Sequence, residues 1–225
     1  MTEKLSKGIA QTFFSLLVLV FLILTGVRLL LTDVFVQIEY NMPGFPDDPY
    51  GMTKQERLEF APIALEFLLN GADESFLGDL EFADGTPLYN ERELRHMVDV
   101  QVLTIQFLGV WRWSVILLVG LGLGAWRGKW WDRFGQMLSS AGLFTIIALL
   151  TLLLLMFLSF DAVFTNFHRI FFQGDSWLFL YSDTLIRLFP LRFWQDAFIL
   201  VGVFTLLGGA GLWRGFAKKP VKSNE

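Results

Sequence analysis

Four apolar stretches, each long enough to cross a bilayer, constrain this chain more than any other feature. They cover roughly residues 9–31, 100–126, 136–160 and 194–213. A hydrocarbon core about 30 Å thick is crossed by about 20 apolar residues in helical form. Lipid offers the backbone no hydrogen bonds, so each stretch must be a helix that satisfies its own amides. Hydrophobic residues make up 54% of the chain. They are gathered into these blocks instead of being spread at amphipathic spacing, which argues against a soluble fold. The expectation is an all-α integral membrane protein: a four-transmembrane-helix bundle with a small helical extracytoplasmic cap, one membrane domain over residues 1–225. The first stretch follows Lys4 and Lys7. Its apolar run is too long for a cleaved signal peptide and no small-x-small site closes it, so it is expected to stay as an anchor.

Basic residues in the short flanks set the orientation. Lys4 and Lys7 precede the first stretch. Arg127, Lys129 and Arg133 fill the link between the second and third, and Arg214, Lys218, Lys219 and Lys222 follow the fourth. Those regions, and both termini, are expected in the cytoplasm. Residues 32–99 are acidic, opposed only by Lys54, Arg57, Arg92 and Arg95. They form the expected outer cap, with residues 161–193 as a second outer loop. An acidic outer segment excludes nucleic acid as a partner. The chain has no cysteine, hence no disulfide, thiolate nucleophile or cysteine-ligated metal, and no site for lipid attachment of its own.

Within the cap, residues 41–49 are rich in turn formers and cannot be helical throughout. Thr53 and Glu56 form a capping-box pair before a helix carrying Leu58, Ala61, Leu65, Leu68 and Leu69 on one face, ending at Asn70-Gly71. Residues 74–87 read as short extended pieces around an Asp84-Gly85 turn. Asn90 and Glu93 form a second capping box, opening a helix that runs on into the second stretch. The outer loop is crowded with aromatics and is expected in the headgroup layer, touching lipid. The eight tryptophans fall near the ends of the stretches, as interfacial belts require. Glycines 120, 122 and 124, and 208, 209 and 211, point to close helix packing.

The chemistry-bearing candidates are few. His96 and His168 are the only histidines. Both are expected at outer helix ends, one entering the second stretch and one leaving the third. Histidine is suited to proton exchange near neutral pH. Asp99 lies three residues after His96 on the same helix, where a carboxylate could fix a tautomer. Three readings stay open on these residues alone: a shared proton-transfer site, two polar groups resting among headgroups, or zinc bound with Asp99 and Asp175. Ser176 offers a serine-hydrolase reading but lacks the Gly-x-Ser-x-Gly context. Arg112 lies within the second stretch, either functional or snorkelling outward.

Residues 90–100 (NERELRHMVDV) and 167–178 (FHRIFFQGDSWL) resemble one family of small bacterial membrane proteins, the lipoprotein intramolecular transacylases. Residues 185–190 (LIRLFP) with Phe193 and Asp196, and the YGMT run at 50–53, are similar to it as well. The resemblance implies a cofactor-free and metal-free membrane acyltransferase of the bacterial plasma membrane. A diacylglyceryl-modified lipoprotein would pass one ester-linked acyl chain to its own N-terminal amine, giving a lyso-form product. The partners are then such lipoproteins and membrane lipids. The implied catalytic residues are His168 as base and proton shuttle, His96 as its partner and Asp99 as orienter. Arg95, Asn166, Arg169 and Trp177 would contact substrate. A non-enzymatic scaffold and a lipid hydrolase are the competing readings. A scaffold would tolerate loss of both histidines, and a hydrolase would depend on Ser176.

Overall fold

A computed structural model describes residues 2–172 and 174–217. Lys218, Lys219 and Lys222, used above for orientation, lie outside the described residues. The helices in chain order are α1 (Thr2–Leu30), α2 (Asp33–Tyr40), α3 (Lys54–Asn70), α4 (Ser75–Gly78), α5 (Glu91–Arg127), α6 (Trp131–Leu158), α7 (Phe160–Phe171), α8 (Thr184–Leu188) and α9 (Leu191–Gly215). Four are long and apolar enough to cross a membrane: α1 from Gly8, α5, α6 and α9. They cover the four expected stretches, and the chain is an all-helical membrane protein.

The residues fall into two compact units. Among the described residues the first comprises 2–26, 110–158 and 200–217. Its buried cluster is Phe14, Val18, Leu22, Ala125, Phe134 and Ala141. Polar side chains also tie its helices together: the Trp111 indole donates to the Thr25 hydroxyl at 3.0 Å, and Ser139 donates to the Trp213 carbonyl at 2.9 Å. Glycine decides the closest approach. A Cβ on Gly142 would sit 2.7 Å from the Trp213 amide nitrogen and closer still to the Gly209 carbonyl oxygen. Only backbone fits there, as in other small-residue helix contacts. In the second stretch the same expectation fails for Gly120 and Gly124, which face open space, while Gly122 meets the Phe134 ring at 3.6 Å. Arg112 is exposed on this unit.

The second unit comprises residues 27–109 and 159–199. Its core gathers α2 (Phe35, Val36, Tyr40), α3 (Phe60, Ala61, Ala64, Leu65, Phe67), Leu185, Leu188 and Phe189 from α8 and its C-terminal flank, and Phe193 from the start of α9. The Thr53–Glu56 capping box starts α3 as the sequence indicates, and Gly71, at φ 66°, ends it. Gln101 on α5 donates to the Phe67 and Ala72 carbonyls at 2.7 and 3.1 Å, satisfying acceptors around the α3 C-terminus. Arg57, 4% exposed, donates to the Arg187 and Pro46 carbonyls, and Arg187 pairs with Asp48 at 2.9 Å.

Two expectations need correction. Residues 75–78 form a helical turn, α4, instead of extended chain. Asp73 accepts from the Ser75 amide at 3.0 Å, and Leu77 is fully buried. The third stretch ends at Leu158, and His168 does not ride on its continuation. Ser159, in a non-helical conformation, accepts from the Ala162 amide at 3.3 Å and starts α7 afresh.

Candidate active site

Local spacing creates the site. Phe164, His168 and Phe172 recur every four residues, which on a helix puts them on one face. That face of α7 carries the His168 imidazole between rings: Phe164 at 4.1 Å between centroids, Phe172 at 5.5 Å and Trp177 at 4.9 Å. His96 on α5 lies against Phe172 at 5.0 Å and Phe179 at 5.2 Å. The two imidazole centroids are 6.4 Å apart, with planes inclined by 22°. Two side chains 72 residues apart in sequence thus share one aromatic nest.

The tautomer of His168 follows from its hydrogen bond. Nδ1 lies 2.8 Å from the Phe164 carbonyl oxygen. A carbonyl only accepts, so Nδ1 carries the proton and Nε2 keeps its lone pair. Burial among rings pushes the His168 pKa below its usual 6.5, opposed by the smaller effect of the Phe164 bond. His168 is therefore a neutral base at neutral pH. His96 Nδ1 and the Trp177 indole Nε1 are buried and have no partner among the described residues.

The wall holding these rings was not read from the sequence. Arg92 pairs with Asp183 at 2.7 Å and lies over the Phe179 ring at 5.6 Å. Asp183 also accepts from the Leu180 amide at 2.8 Å. The Asn90–Glu93 capping box forms as expected, with Glu93 accepting from the Asn90 amide at 2.9 Å and Asn90 accepting from the Glu93 amide at 3.1 Å. The second Glu93 oxygen reaches beyond its own helix and accepts from the Leu185 amide at 2.7 Å, at the start of α8. One buried carboxylate thus serves two helix N-termini. The i, i+4 aromatic spacing on α7 was the sequence signal that could have revealed the nest.

The remaining candidate residues are less enclosed. Asp99 is exposed, and among the described residues no hydrogen bond or ion pair joins it to His96. Three residues along a helix leave the two side chains roughly 60° apart around the axis, so His96 turns into the nest while Asp99 turns out. Arg95 and Arg169 are exposed, and the Asn166 amide donates back to the Ala162 carbonyl at 2.8 Å. Among the described residues no three His, Asp or Glu side chains stand together to hold a metal.

A multi-pass helical membrane protein with two histidines brought into one aromatic nest is the class that this fold and site define. Known proteins narrow it. The family described as lipoprotein intramolecular transacylase Lit matches residues 12–194. An uncharacterised protein of Aquifex aeolicus (strain VF5) is 32% identical over 183 residues, 81% of each chain. In fold, the chain is similar to the membrane integral Lit of Bacillus cereus, with a TM-score of 0.69 at 20% identity, covering 93% of this chain and 95% of that one. A variant of that protein with one histidine replaced by arginine gives a TM-score of 0.63 at 21% identity, covering 96% and 94%. The chain belongs to the lipoprotein intramolecular transacylase family and is a membrane acyltransferase of that kind.

Proposed function

We propose that His168 is the general base, and then the general acid, that moves an ester-linked acyl chain of a diacylglyceryl-modified N-terminal cysteine to the α-amine of the same molecule. The observation that carries this reading is the His168 Nδ1–H donated to Phe164, which leaves Nε2 as a fixed, neutral lone pair 6.4 Å, ring to ring, from His96. The amine nitrogen attacks the ester carbonyl carbon, and His168 takes its proton. The carbon–oxygen bond to the glyceryl group then breaks, and the same proton passes to the departing alkoxide. Amine and ester belong to one molecule, so most of the cost of bringing them together is already met. His96 orients the amine. Arg95 and Arg169, exposed beside the nest, face headgroup or lipoprotein, with Asn166 on the same helix as Arg169. Asp99 acts on His96 only at a distance.

The pH profile of lipopeptide conversion tests the base assignment. An α-amine loses its proton near pH 7.7–8.0. His168, depressed below 6.5, stays neutral throughout the window above that value. From pH 6.5 to about 7, log(kcat/KM) is therefore expected to rise with a slope of about one, from the amine alone, to level off as the pH passes about 7.7–8.0, and to steepen only below pH 6.5. A slope of about two within the window would place His168 titration there and remove the neutral base.

The site serves lipoproteins only if it faces outward. The nest is placed at the outer surface of the bacterial plasma membrane, the chain acting as one membrane domain with both termini cytoplasmic. The support is the basic flanks Arg127, Lys129 and Arg133 set against the acidic segment 32–99. Reporter fusions after Arg133 and Lys222 are expected to read cytoplasmic, and one near Gly71 external. A cytoplasmic signal at Gly71 would put the histidines on the wrong face.

A further inference from the structure

We propose that the indole N–H of Trp177 is the hydrogen-bond donor that receives the oxyanion of the acyl transfer. The inference rests on the reading of His168 as base. A buried indole N–H ordinarily finds an acceptor. Trp177 Nε1 is buried and has none among the described residues, although its ring lies 4.9 Å from the His168 ring at 33°. A turn holds it there: Gly174 takes φ 64°, and the Leu178 amide donates to the Asp175 carbonyl at 3.1 Å. The Phe164 ring backs the indole at 6.4 Å.

Chemistry asks for a donor in this place. When the amine nitrogen bonds to the ester carbon, the carbonyl π electrons move to oxygen. That oxygen stays one carbon away from the nitrogen whose proton His168 removes. The donor must therefore lie within a few ångströms of the base. His96 Nδ1 and Arg92 Nε are also buried without a partner among the described residues, but the Trp177 ring packs directly on the His168 ring and its N–H is a donor in every state. Indole keeps its proton throughout, so the donor stabilises the charge without entering the proton balance. When the tetrahedral intermediate collapses, the carbonyl re-forms, the glyceryl C–O bond breaks, and the His168 proton leaves with the alkoxide. Arg92 is a poorer candidate. Its Nη2 is held by Asp183, and its guanidinium lies over Phe179.

The test uses the full-length protein in liposomes with a synthetic diacylglyceryl-cysteine lipopeptide. Trp177 is replaced by 3-benzothienylalanine, which keeps the bicyclic ring and exchanges the N–H for sulfur. Loss of one oxyanion donor is expected to lower kcat about 100-fold or more while KM changes less than about threefold. Trp177→Phe should lose at least as much kcat. It serves as the second variant if the analogue does not accumulate. A kcat within about fivefold of the parent, or a loss confined to KM, overturns the proposal. His168→Ala, run alongside, separates the two readings. If it retains activity, the base assignment falls. If it is inactive while the benzothienyl variant is unimpaired, only the donor assignment falls.

Discussion

Replacing His168 with alanine is expected to leave a folded membrane protein that makes no detectable lyso-form product. Positioned proton transfer contributes about 10²–10⁴-fold, and in the proposed mechanism one group handles both the proton leaving the amine and the proton reaching the alkoxide. The segment between α6 and α9 holds no lysine or cysteine to stand in for it. Mass spectrometry of the N-terminal peptide of a co-expressed lipoprotein reads the outcome directly, because the product differs in acyl position. His96→Ala should be severe, and Asp99→Asn mild, since Asp99 is exposed and among the described residues is bonded to neither imidazole. Ser176→Ala should retain most activity, because the proposed transfer forms no acyl-enzyme. Full activity in His168→Ala, with loss in Ser176→Ala and release of free fatty acid, would sink direct transfer and favour hydrolysis through serine.

Glu93→Ala is expected to destabilise the protein more than other single changes outside the apolar cores. The side chain is 1% exposed and accepts from two amides, those of Asn90 and Leu185. Alanine strands both donors. The buried Leu185 N–H left unpaired costs about 1–3 kcal/mol, and the Asn90 N–H, on an exposed residue, loses a capping bond worth about 1 kcal/mol, so the loss is about 2–4 kcal/mol. Glu93→Gln keeps one acceptor oxygen and should lose about half of that. Thermal unfolding in detergent checks the order: parent, then glutamine, then alanine. Activity should fall with stability, because α8 follows directly from the Asp183 that anchors Arg92 and Phe179. An unchanged unfolding midpoint in Glu93→Ala would show that this joint carries no weight.

The parts of this fold that were legible in sequence are those governed by local or one-dimensional rules. Span length follows from hydropathy. The Thr53–Glu56 and Asn90–Glu93 caps follow from three-residue spacing. The pairing of His96 with His168 was reachable because membrane depth orders distant residues along one axis. What escaped was decided by neighbours far along the chain. The α4 turn exists because Leu77 is drawn into a core built by other helices. The break at Ser159 interrupts residues that are apolar on both sides, so hydropathy alone runs through it. The second contact of Glu93, to Leu185, crosses 92 residues. Asp99 is a different case: it is exposed, and its three-residue spacing from His96 places the two side chains near each other on the helix but not side by side.

The bond between His168 and Phe164 has a kinetic consequence. In many hydrolases a carboxylate clamps the base and also shares the positive charge that forms on it. Here a backbone carbonyl four residues back does the clamping and brings no negative charge. The imidazolium is consequently a reluctant acid carrier, strongly driven to surrender its proton. A base that cannot hold a proton for long suits a reaction whose second step follows at once in the same molecule. In the proposed mechanism the alkoxide recovers that proton at once, which favours acyl transfer to nitrogen over loss as free acid.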